Sequence, residues 1–399
     1  MYDNIKIAYL CSDVGVPVLG FKGCSVHVRE MCHAFAALGA NVSIYALLKG
    51  EGNLYPYSIT EAKQFKKKWI GRDLRLILSN MNLYLTCRKQ FSFHRPHFIY
   101  ERYGLYGWAG VVLAREFSIP RIVEINSYLA ENQEKRLHFP RLAKSFENCI
   151  MEKAQAVCCL SNISRTILLE RGIEAEKILV TPDGVDFHKF NPDRDGNQIR
   201  KRLGLEGKTI VGYVGVLSEY RGAYTILQSA KEVLSQEKNF QFIVIGEGRA
   251  LPEMENYLQK HNLSDRFTLT GPVSHDDIPH YIATMDIALA PYGHERRFYD
   301  SPMKIFEYMA MGKPMIATAQ GQIKDIIRHG ENGLLMEPDD SSGLAKAILE
   351  LGSNKPLMKS IGLKAWATAE SYTWEANAKK VLNTYRSLVN GKTGSVYEN

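Results

Sequence analysis

The sequence lacks the segments that carry proteins into or across membranes. Its longest uncharged apolar stretch covers residues 103–114 and contains three glycines, whereas a membrane-spanning helix needs about 20 apolar residues. The N-terminal segment has neither the basic n-region nor the long apolar h-region of a secretory signal. We therefore expect no membrane-spanning helix and a cytoplasmic protein.

Metal-binding motifs are also missing. The seven cysteines form no C-x-x-C pair, and Cys158 and Cys159 are adjacent within an apolar run, so we expect reduced, buried thiols. The single D-x-D sequence, at Asp193 and Asp195, lies in a polar stretch after Pro192 and does not end an apolar strand, as a catalytic D-x-D should. The sequence thus predicts no metal ion and no other cofactor.

The excess of positive over negative charge lies in one half of the chain. Residues 1–200 contain 27 Lys and Arg against 20 Asp and Glu, which accounts for the whole net charge of +7. Within residues 63–75, lysines alternate with apolar and aromatic side chains, as in a basic amphipathic segment near an anionic lipid or substrate. The lysines are Lys63, Lys66, Lys67 and Lys68. A solvated helix face is the alternative. No nucleic-acid motif is present, and the oligomeric state is left open.

Apolar runs and helix-like spacing alternate along the whole chain, which is 45% apolar and 23% charged and therefore globular. This alternation is typical of an α/β fold with parallel sheets and crossover helices. It occurs in two series, separated near residues 185–205 by a segment rich in Asp, Gly, Pro and Asn. We predict strands at residues 5–11, 42–47, 98–100, 121–125, 157–160 and 178–180, and then at 209–215, 241–245, 267–270, 286–290, 314–317 and 334–336.

The two series predict two domains, at residues 1–190 and 200–371. A final helix within residues 372–399 has one apolar face and is expected to pack back on the first domain. Open parallel sheets bind ligands at the carboxyl ends of their strands. We therefore expect the ligand in a cleft between the domains, faced by both sheets.

The segment DSPMKIFEYMAMGKPMIAT, at residues 300–318, predicts a helix with a defined start. Ser301 is a preferred N-cap and Pro302 suits the first helical position. The free N–H groups of Met303 and Lys304 would then suit a phosphate. Glu307 leans back toward the helix start and could accept hydrogen bonds from sugar hydroxyls. The alternative is that Lys304 and Glu307 form a surface pair.

Two further loops could approach an anion. Arg221 and Gly222 follow the strand that ends at Gly215, and a guanidinium there could bind a diphosphate through two hydrogen bonds. Residues 20–25, between the first strand and the first helix, contain two glycines that allow close backbone approach. The alternative for Arg221 is an ordinary surface position.

Several segments together resemble the retaining glycosyltransferases of family 4, which have the GT-B fold of two Rossmann-like domains. They occur in the family's order, span nearly the whole chain and read TPDGVDFHKFNP, VGVLSEYRG, VIGEG, FTLTGPV, DIALAPY, FEYMAMGKPMIAT and HGENGLLMEPDD. The resemblance implies transfer of a sugar from a nucleotide diphosphate sugar to an acceptor hydroxyl, with retained anomeric configuration and without a metal. The base, the sugar and the acceptor stay open; a glycan, a lipid-linked molecule or a small molecule could accept.

The resemblance also implies roles for individual residues. Arg221 occupies the position of the family's phosphate-binding Lys, and Glu307 matches the second Glu of its E-x7-E motif, which contacts the ribose. Gly23 matches the glycine that faces the diphosphate, and the backbone around Pro272 and Val273 would hold the base. The remaining predicted donor contacts are Gly215, Tyr299, Asp300, Ser301, Met303 and Lys304.

The sequence departs from the family pattern at three positions. Tyr299 stands where the first Glu of E-x7-E is usual, Val216 where a loop Arg is usual, and Asn126 where a His is usual. Asn can donate and accept hydrogen bonds but does not titrate near neutral pH. We predict Arg221, Asn126 and Glu307 as the catalytic residues.

The acceptor is expected to contact the first domain. Glu101, Tyr103 and Glu124 lie at or just past predicted strand ends, where ligands of such folds bind. The alternative for Glu101 is a surface pair with Arg102.

Two other functions stay open. The three departures are compatible with a non-catalytic family member that binds a nucleotide sugar or assists a partner enzyme. An NAD-dependent oxidoreductase would need a G-x-G-x-x-G after its first strand, whereas the chain has only a lone G-x-G, at Gly246 and Gly248.

Overall fold

The computed structural model describes residues 2–52, 57–295 and 297–391, except for the side chain of Lys68. The chain forms two compact units: Met1–Pro182 together with Trp374–Asn399, and Asp183–Thr373. The change from the first unit to the second thus lies just before the segment 185–205.

The first unit contains one parallel sheet. Its strands are β1 (Lys6–Cys11), β2 (Asn41–Ala46), β3 (Ser58–Glu61), β4 (Phe98–Arg102), β5 (Arg121–Ile125), β6 (Ala156–Cys159) and β7 (Ile178–Val180). They are ordered β3-β2-β1-β4-β5-β6-β7. The central strands β4 and β5 are buried at every position, as expected for strands covered on both faces. The edge strand β3 is missing from the predicted set because its SITE sequence has no apolar run.

Helices cover this sheet, and the C-terminal helix belongs to the same unit. The helices are α1 (Gly23–Ala37), α2 (Arg72–Phe93), α3 (Ala109–Glu116), α4 (Leu129–Asn132), α5 (Pro140–Glu152), α6 (Asn162–Glu170) and, from the chain's end, α15 (Trp374–Val389). The ring of Tyr385 stacks on Phe98 with centroids 4.6 Å apart, and α15 contacts α1. Residues 392–399 of the predicted final helix lie outside the described residues.

The second unit contains a six-stranded parallel sheet. Its strands are β8 (Thr209–Val214), β9 (Phe240–Ile245), β10 (Phe267–Gly271), β11 (Ile287–Ala290), β12 (Met315–Thr318) and β13 (Leu334–Met336). They are ordered β10-β9-β8-β11-β12-β13. Alternate residues of β9 belong to two separate hydrophobic cores. Ile243 and Ile245 belong to one core, and Phe242 and Val244 belong to the other. Because successive strand side chains point to opposite faces, both faces of the sheet are covered.

The helices of the second unit connect these strands. They are α7 (Asn197–Arg202), α8 (Ala223–Gln236), α9 (Leu251–Lys260), α10 (Ile278–Ala283), α11 (Met303–Ala310), α12 (Ile323–Ile326), α13 (Ser341–Ser353) and α14 (Lys355–Ala369). In the described part of the chain, no helix has both the length and the apolar character needed to cross a bilayer.

Candidate active site

A buried lysine lies at the start of α11. The side chain of Lys304 is 7% exposed, and its Nζ has no hydrogen-bond partner among the described residues. The ammonium group lies 3.9 Å from the ring centroid of Tyr213 and 5.2 Å from that of Tyr292, on the electron-rich faces that attract cations. Burial and the nearby charge of Arg221 hold the pKa of Lys304 well below its ordinary range, and Glu307 only partly opposes this.

Arg221 presents a second cation to the same tyrosine. It ends the short 3-10 turn Glu219–Arg221, and its guanidinium carbon lies 5.5 Å from the ring centroid of Tyr292. Burial disfavours the charge, but Tyr292 and Asp300 raise the pKa of Arg221 above its usual value. Within the described residues, no carboxylate forms an ion pair with Arg221 or Lys304. Two basic side chains that no described carboxylate contacts directly are suited to bind an external anion.

Glycines let the backbone come close to these cations. Gly215 follows β8 with φ of +139°, and a Cβ there would lie 2.9 Å from Lys304 Nζ. Gly222 has φ of +80°, and a Cβ there would lie 1.8 Å from the carbonyl oxygen of Pro291. A side chain at either position would displace the Lys304 ammonium group or the loop that carries Arg221.

The predicted N-cap of α11 is wrong. The helix begins at Met303, Pro302 occupies the cap position, and no side chain caps the first turn. Ser301 is buried, and its Oγ accepts a hydrogen bond from the backbone N–H of Asp183 at 2.8 Å. The Ser301 hydroxyl therefore serves the backbone N–H of Asp183, in the segment after β7. A buried backbone N–H group needs such a hydrogen-bond partner.

The neighbours of Ser301 lie at the same helix start. Tyr299, Asp300 and Met303 are half-buried. Burial raises the pKa of Asp300, and the charge of Arg221 partly offsets this. The charge of Arg221 thus acts on the carboxyl group of Asp300 although the two groups form no ion pair.

Glu307 is buried, at 6% exposed, and its Oε1 lies 2.9 Å from Nε2 of His275. The alternative of a surface pair with Lys304 is wrong, because both side chains are buried and Lys304 Nζ has no hydrogen-bond partner in the described part of the chain. The sequence interpretation missed His275, which lies in the loop after β10. A single His in a polar loop carries no periodic signal.

Pro272 and Val273 follow β10, the edge strand of the second sheet. Pro272 is exposed, and Val273 is half-buried against the core. All strands of this sheet are parallel, so the loops after β8 and β10 leave from the same edge. This is the edge at which such sheets bind ligands.

The first unit has its own cluster of charges at a strand end. Glu124 lies 2.8 Å from Nε2 of His27 and 3.3 Å from Nη1 of Arg102. Burial opposes the negative charge, but His27 and then Arg102 lower the pKa of Glu124 to about 2. Glu124 is 1% exposed, so its carboxylate is an internal counter-ion in this structure and not an open acceptor contact.

Glu101 likewise forms an internal ion pair. It is 0% exposed; its Oε2 lies 2.9 Å from Nη1 of Arg121, and its Oε1 accepts a hydrogen bond from Ser12 Oγ at 2.6 Å. Both interpretations of Glu101, an acceptor contact and a surface pair with Arg102, therefore disagree with the structure. The buried cation of Arg121 requires this carboxylate as its partner.

Three predicted residues of the first unit lie at loops after strands. Gly23 is exposed and is the first residue of α1. Tyr103, 3% exposed, directly follows β4. Asn126 directly follows β5, and both polar atoms of its side chain are buried without a hydrogen-bond partner among the described residues. An unpaired buried amide is costly, so Asn126 is suited to bind a ligand hydroxyl.

No group of three or more His, Cys, Asp or Glu side chains in the described ranges is arranged to hold a metal ion.

Solved structures share this fold over almost the entire chain. The sucrose-phosphate synthase of Thermosynechococcus elongatus superposes with a TM-score of 0.78 at 22% identity, covering 97% of this chain and 100% of that one. HepE of Anabaena, solved in complex with UDP and glucose, superposes with a TM-score of 0.76 at 19% identity, covering 96% and 100%. The two parallel α/β units define the GT-B class.

Family models and curated sequences identify the family. The model for glycosyltransferase family 4 matches residues 21–189, and the model for glycosyl transferases group 1 matches residues 208–354. The alpha-D-kanosaminyltransferase of Streptomyces kanamyceticus is 26% identical over 69% of this chain and 73% of its own length. The D-inositol 3-phosphate glycosyltransferase of Corynebacterium urealyticum is 25% identical over 92% and 91%.

The chain belongs to the group 1, family 4 glycosyltransferases, which confirms the resemblance recognised in its sequence. It is a glycosyltransferase that transfers a sugar from a nucleotide sugar donor to an acceptor. The comparisons favour this function over an NAD-dependent oxidoreductase.

Proposed function

We propose that the protein is a retaining, metal-independent glycosyltransferase that binds the diphosphate of its donor between Arg221 and Lys304. The observation that carries the proposal is the pair of cations against Tyr292, with ring distances of 5.5 and 5.2 Å and no carboxylate partner among the described residues. Asp300 and Glu307 act on these cations only from a distance, whereas a diphosphate would place negative charge in direct contact with both. Two fixed cations also replace the divalent metal that many phosphate sites use.

The proposed reaction proceeds on one face of the sugar. The bond from the anomeric carbon to the diphosphate breaks, and the bond from that carbon to the acceptor oxygen forms on the same side. The acceptor proton passes to the departing diphosphate oxygen. Negative charge grows on the diphosphate, so Arg221 and Lys304 stabilise the transition state. A hydrogen-bond donor aimed at the developing charge typically lowers the activation free energy by about 3–4 kcal/mol.

Other residues would hold the remaining parts of the substrates. Glu307 would accept hydrogen bonds from the ribose, and the backbone at Pro272 and Val273 would hold the base. Asn126, whose amide is unpaired within the described residues, would bind a sugar hydroxyl. The backbone at Gly23 would approach the diphosphate.

A transfer assay with product analysis tests the proposal. UDP-, GDP- and ADP-sugars are offered with three kinds of acceptor: a glycan end, a lipid-linked sugar and cyclitols. Cyclitols are included because several relatives are named for 2-deoxystreptamine or D-inositol 3-phosphate. We expect NMR to show a product with the donor's anomeric configuration, formed equally well in EDTA. An inverted product, or activity that EDTA removes and Mg²⁺ restores, would overturn the proposal.

We also propose that the segment from Lys63 to Trp69 contacts the cytoplasmic face of an anionic membrane. Lys63, Lys66 and Lys67 are exposed, and Trp69 is 81% exposed, a pairing of cations and an aromatic ring suited to the membrane interface. Co-sedimentation with phosphatidylglycerol vesicles tests this. Changing the three lysines to Glu should abolish sedimentation; sedimentation that survives the charge reversal would reject the contact.

A further inference from the structure

A chain of contacts that begins at Lys189 ends at Glu307. His275 Nε2 lies 2.9 Å from Glu307 Oε1, and His275 Nδ1 lies 2.9 Å from Lys189 Nζ. Lys189 Nζ also lies 2.6 Å from Oδ1 of Asp276. The side chains of His275 and Glu307 are only 12% and 7% exposed, so water competes little for these contacts.

The ammonium group of Lys189 determines which nitrogen of His275 carries the proton. An ammonium group has three donors and no acceptor, so His275 Nδ1 must accept. In the neutral ring the hydrogen therefore lies on Nε2 and is donated to Glu307 Oε1. The other tautomer would set a lone pair against the carboxylate and an N–H against the ammonium group.

Three separate segments hold this arrangement in place. Lys189 and Phe190 lie in the segment between β7 and α7, His275 lies between β10 and α10, and Glu307 lies in α11. The ring of Phe190, 2% exposed, packs against the ring of His275 with centroids 5.5 Å apart. The imidazole is thus held by packing on one side and by hydrogen bonds at both nitrogens.

We infer that His275 is a positioning residue that, with its tautomer set by Lys189, orients the Glu307 carboxylate toward the ribose of the donor. This rests on the proposed function, in which Glu307 binds the ribose. His275 Nε2 is hydrogen-bonded to Oε1 of Glu307, and Oε2 of Glu307 makes no hydrogen bond to any described residue. A carboxylate held at one oxygen presents the other in a fixed direction, which lowers the entropy lost when the sugar binds.

Two substitutions of one residue separate positioning from packing. In His275→Gln the amide nitrogen can reach the place of Nε2 and still donate to Glu307, whereas in His275→Asn the shorter amide reaches only the place of Nδ1. Calorimetry measures the Kd of UDP, GDP and ADP and of their 2′,3′-dideoxy forms. For the nucleotide that the wild-type protein binds, we expect His275→Asn to raise the Kd about tenfold and His275→Gln to restore most of the affinity.

The dideoxy nucleotides show whether the effect acts through the ribose. His275→Asn and the wild-type protein should bind the dideoxy nucleotides with equal Kd. These nucleotides lack the ribose hydroxyls that would donate hydrogen bonds to Glu307. Lys189→Met should show the same pattern with a smaller change. His188→Asn, at the exposed neighbouring position, is the matched control and should leave every Kd unchanged. Equal weakening of ribose and dideoxy forms by His275→Asn would overturn the inference.

Glu307→Gln distinguishes this inference from the proposed function. If Glu307→Gln fails to weaken the ribose forms selectively, or if none of the three nucleotides binds, the proposed ribose contact is wrong. If Glu307→Gln weakens them and His275→Asn does not, only the positioning role is wrong.

Discussion

Arg221 and Lys304 approach the ring of one residue, Tyr292, with the guanidinium carbon 5.5 Å and the ammonium nitrogen 5.2 Å from its centroid. They come from different segments, the turn after β8 and the first turn of α11. A second positive charge beside Arg221 inside the protein costs stability, which is one reason why the pKa of Lys304 is lowered. Sites that violate local stability rules in this way are commonly functional.

Removal of the guanidinium should slow sugar transfer without unfolding the protein. We predict that Arg221→Ala lowers turnover about a hundredfold or more, because the guanidinium no longer stabilises the charge that develops on the leaving diphosphate. Steady-state kinetics and circular dichroism check this. Arg328→Ala, at an exposed position before β13 in the same unit, is the matched control and should keep normal turnover. Near-normal turnover of Arg221→Ala would count against the site.

Nucleotide binding should be linked to proton uptake at Lys304. The pKa of this lysine is lowered by burial and by Arg221, and a bound diphosphate favours the charged form, so the pKa rises in the complex. Affinity should therefore fall as pH rises from the lowered pKa of the free protein toward the pKa in the complex.

Calorimetry in two buffers of different ionisation enthalpy measures the uptake, above about pH 7.5 where the diphosphate itself is ionised. Lys304→Arg, which stays charged, should bind without uptake. Lys324→Arg, exposed in the same unit, should retain it. Equal uptake in wild-type protein and Lys304→Arg would contradict the assignment.

A methyl group at position 215 should weaken nucleotide binding. In Gly215→Ala the new Cβ would lie 2.9 Å from Lys304 Nζ, on a backbone with φ of +139°. We expect the Kd of the preferred nucleotide to rise about tenfold or more. Gly330→Ala is the matched control, because Gly330 also has positive φ (+77°) but open space around it. It should lose stability and keep the nucleotide Kd; unchanged affinity in Gly215→Ala would argue against close approach at Lys304.

The Glu124 carboxylate should stabilise the first unit except in acid. Its pKa is lowered from 4.5 to about 2 despite burial, chiefly by His27. A lowered pKa contributes stability that is present above the unfolded value and is lost as pH falls from about 4.5 to about 2. The shift corresponds to about 3 kcal/mol at neutral pH.

We therefore expect Glu124→Gln to unfold at lower urea than the wild-type protein at pH 7, with a difference that narrows below about pH 4.5. Three of the four tryptophans, Trp69, Trp108 and Trp374, belong to the first unit, so fluorescence follows its unfolding. Glu152→Gln, at an exposed position, should match the wild-type protein. A pH-independent difference would contradict the lowered pKa.

Most strands could be predicted because a strand covered on both faces is a continuous apolar run. Residues 121–125, 178–180 and 334–336 were predicted with the bounds that β5, β7 and β13 have. The short edge strand β3 carries no such run. Helix starts could be predicted less well: Ser301 has the right chemistry for a cap, but its Oγ accepts a hydrogen bond from the backbone N–H of Asp183 instead of capping α11.

The Arg221 cation could be predicted from its loop position and the N–H of Lys304 from helix-start chemistry. That the Lys304 side chain lies against the same ring as Arg221 appears only in the structure. Their partners could not be predicted. The sequence does not show that Glu101 pairs with Arg121, because the two residues lie on different strands. Nor does it show that Lys189 and Glu307 contact the two ring nitrogens of His275. Long-range pairs of this kind depend on tertiary packing, which local patterns do not encode.

A structure with a bound nucleoside diphosphate tests the central claim most directly. UDP, GDP and ADP are first ranked by thermal shift, since a ligand that binds the folded state raises its stability, and the best one is crystallised with the protein. We predict phosphate oxygens at hydrogen-bond distance, about 3 Å, from both Lys304 Nζ and the guanidinium of Arg221. A diphosphate bound elsewhere, with these two cations untouched, would contradict the account.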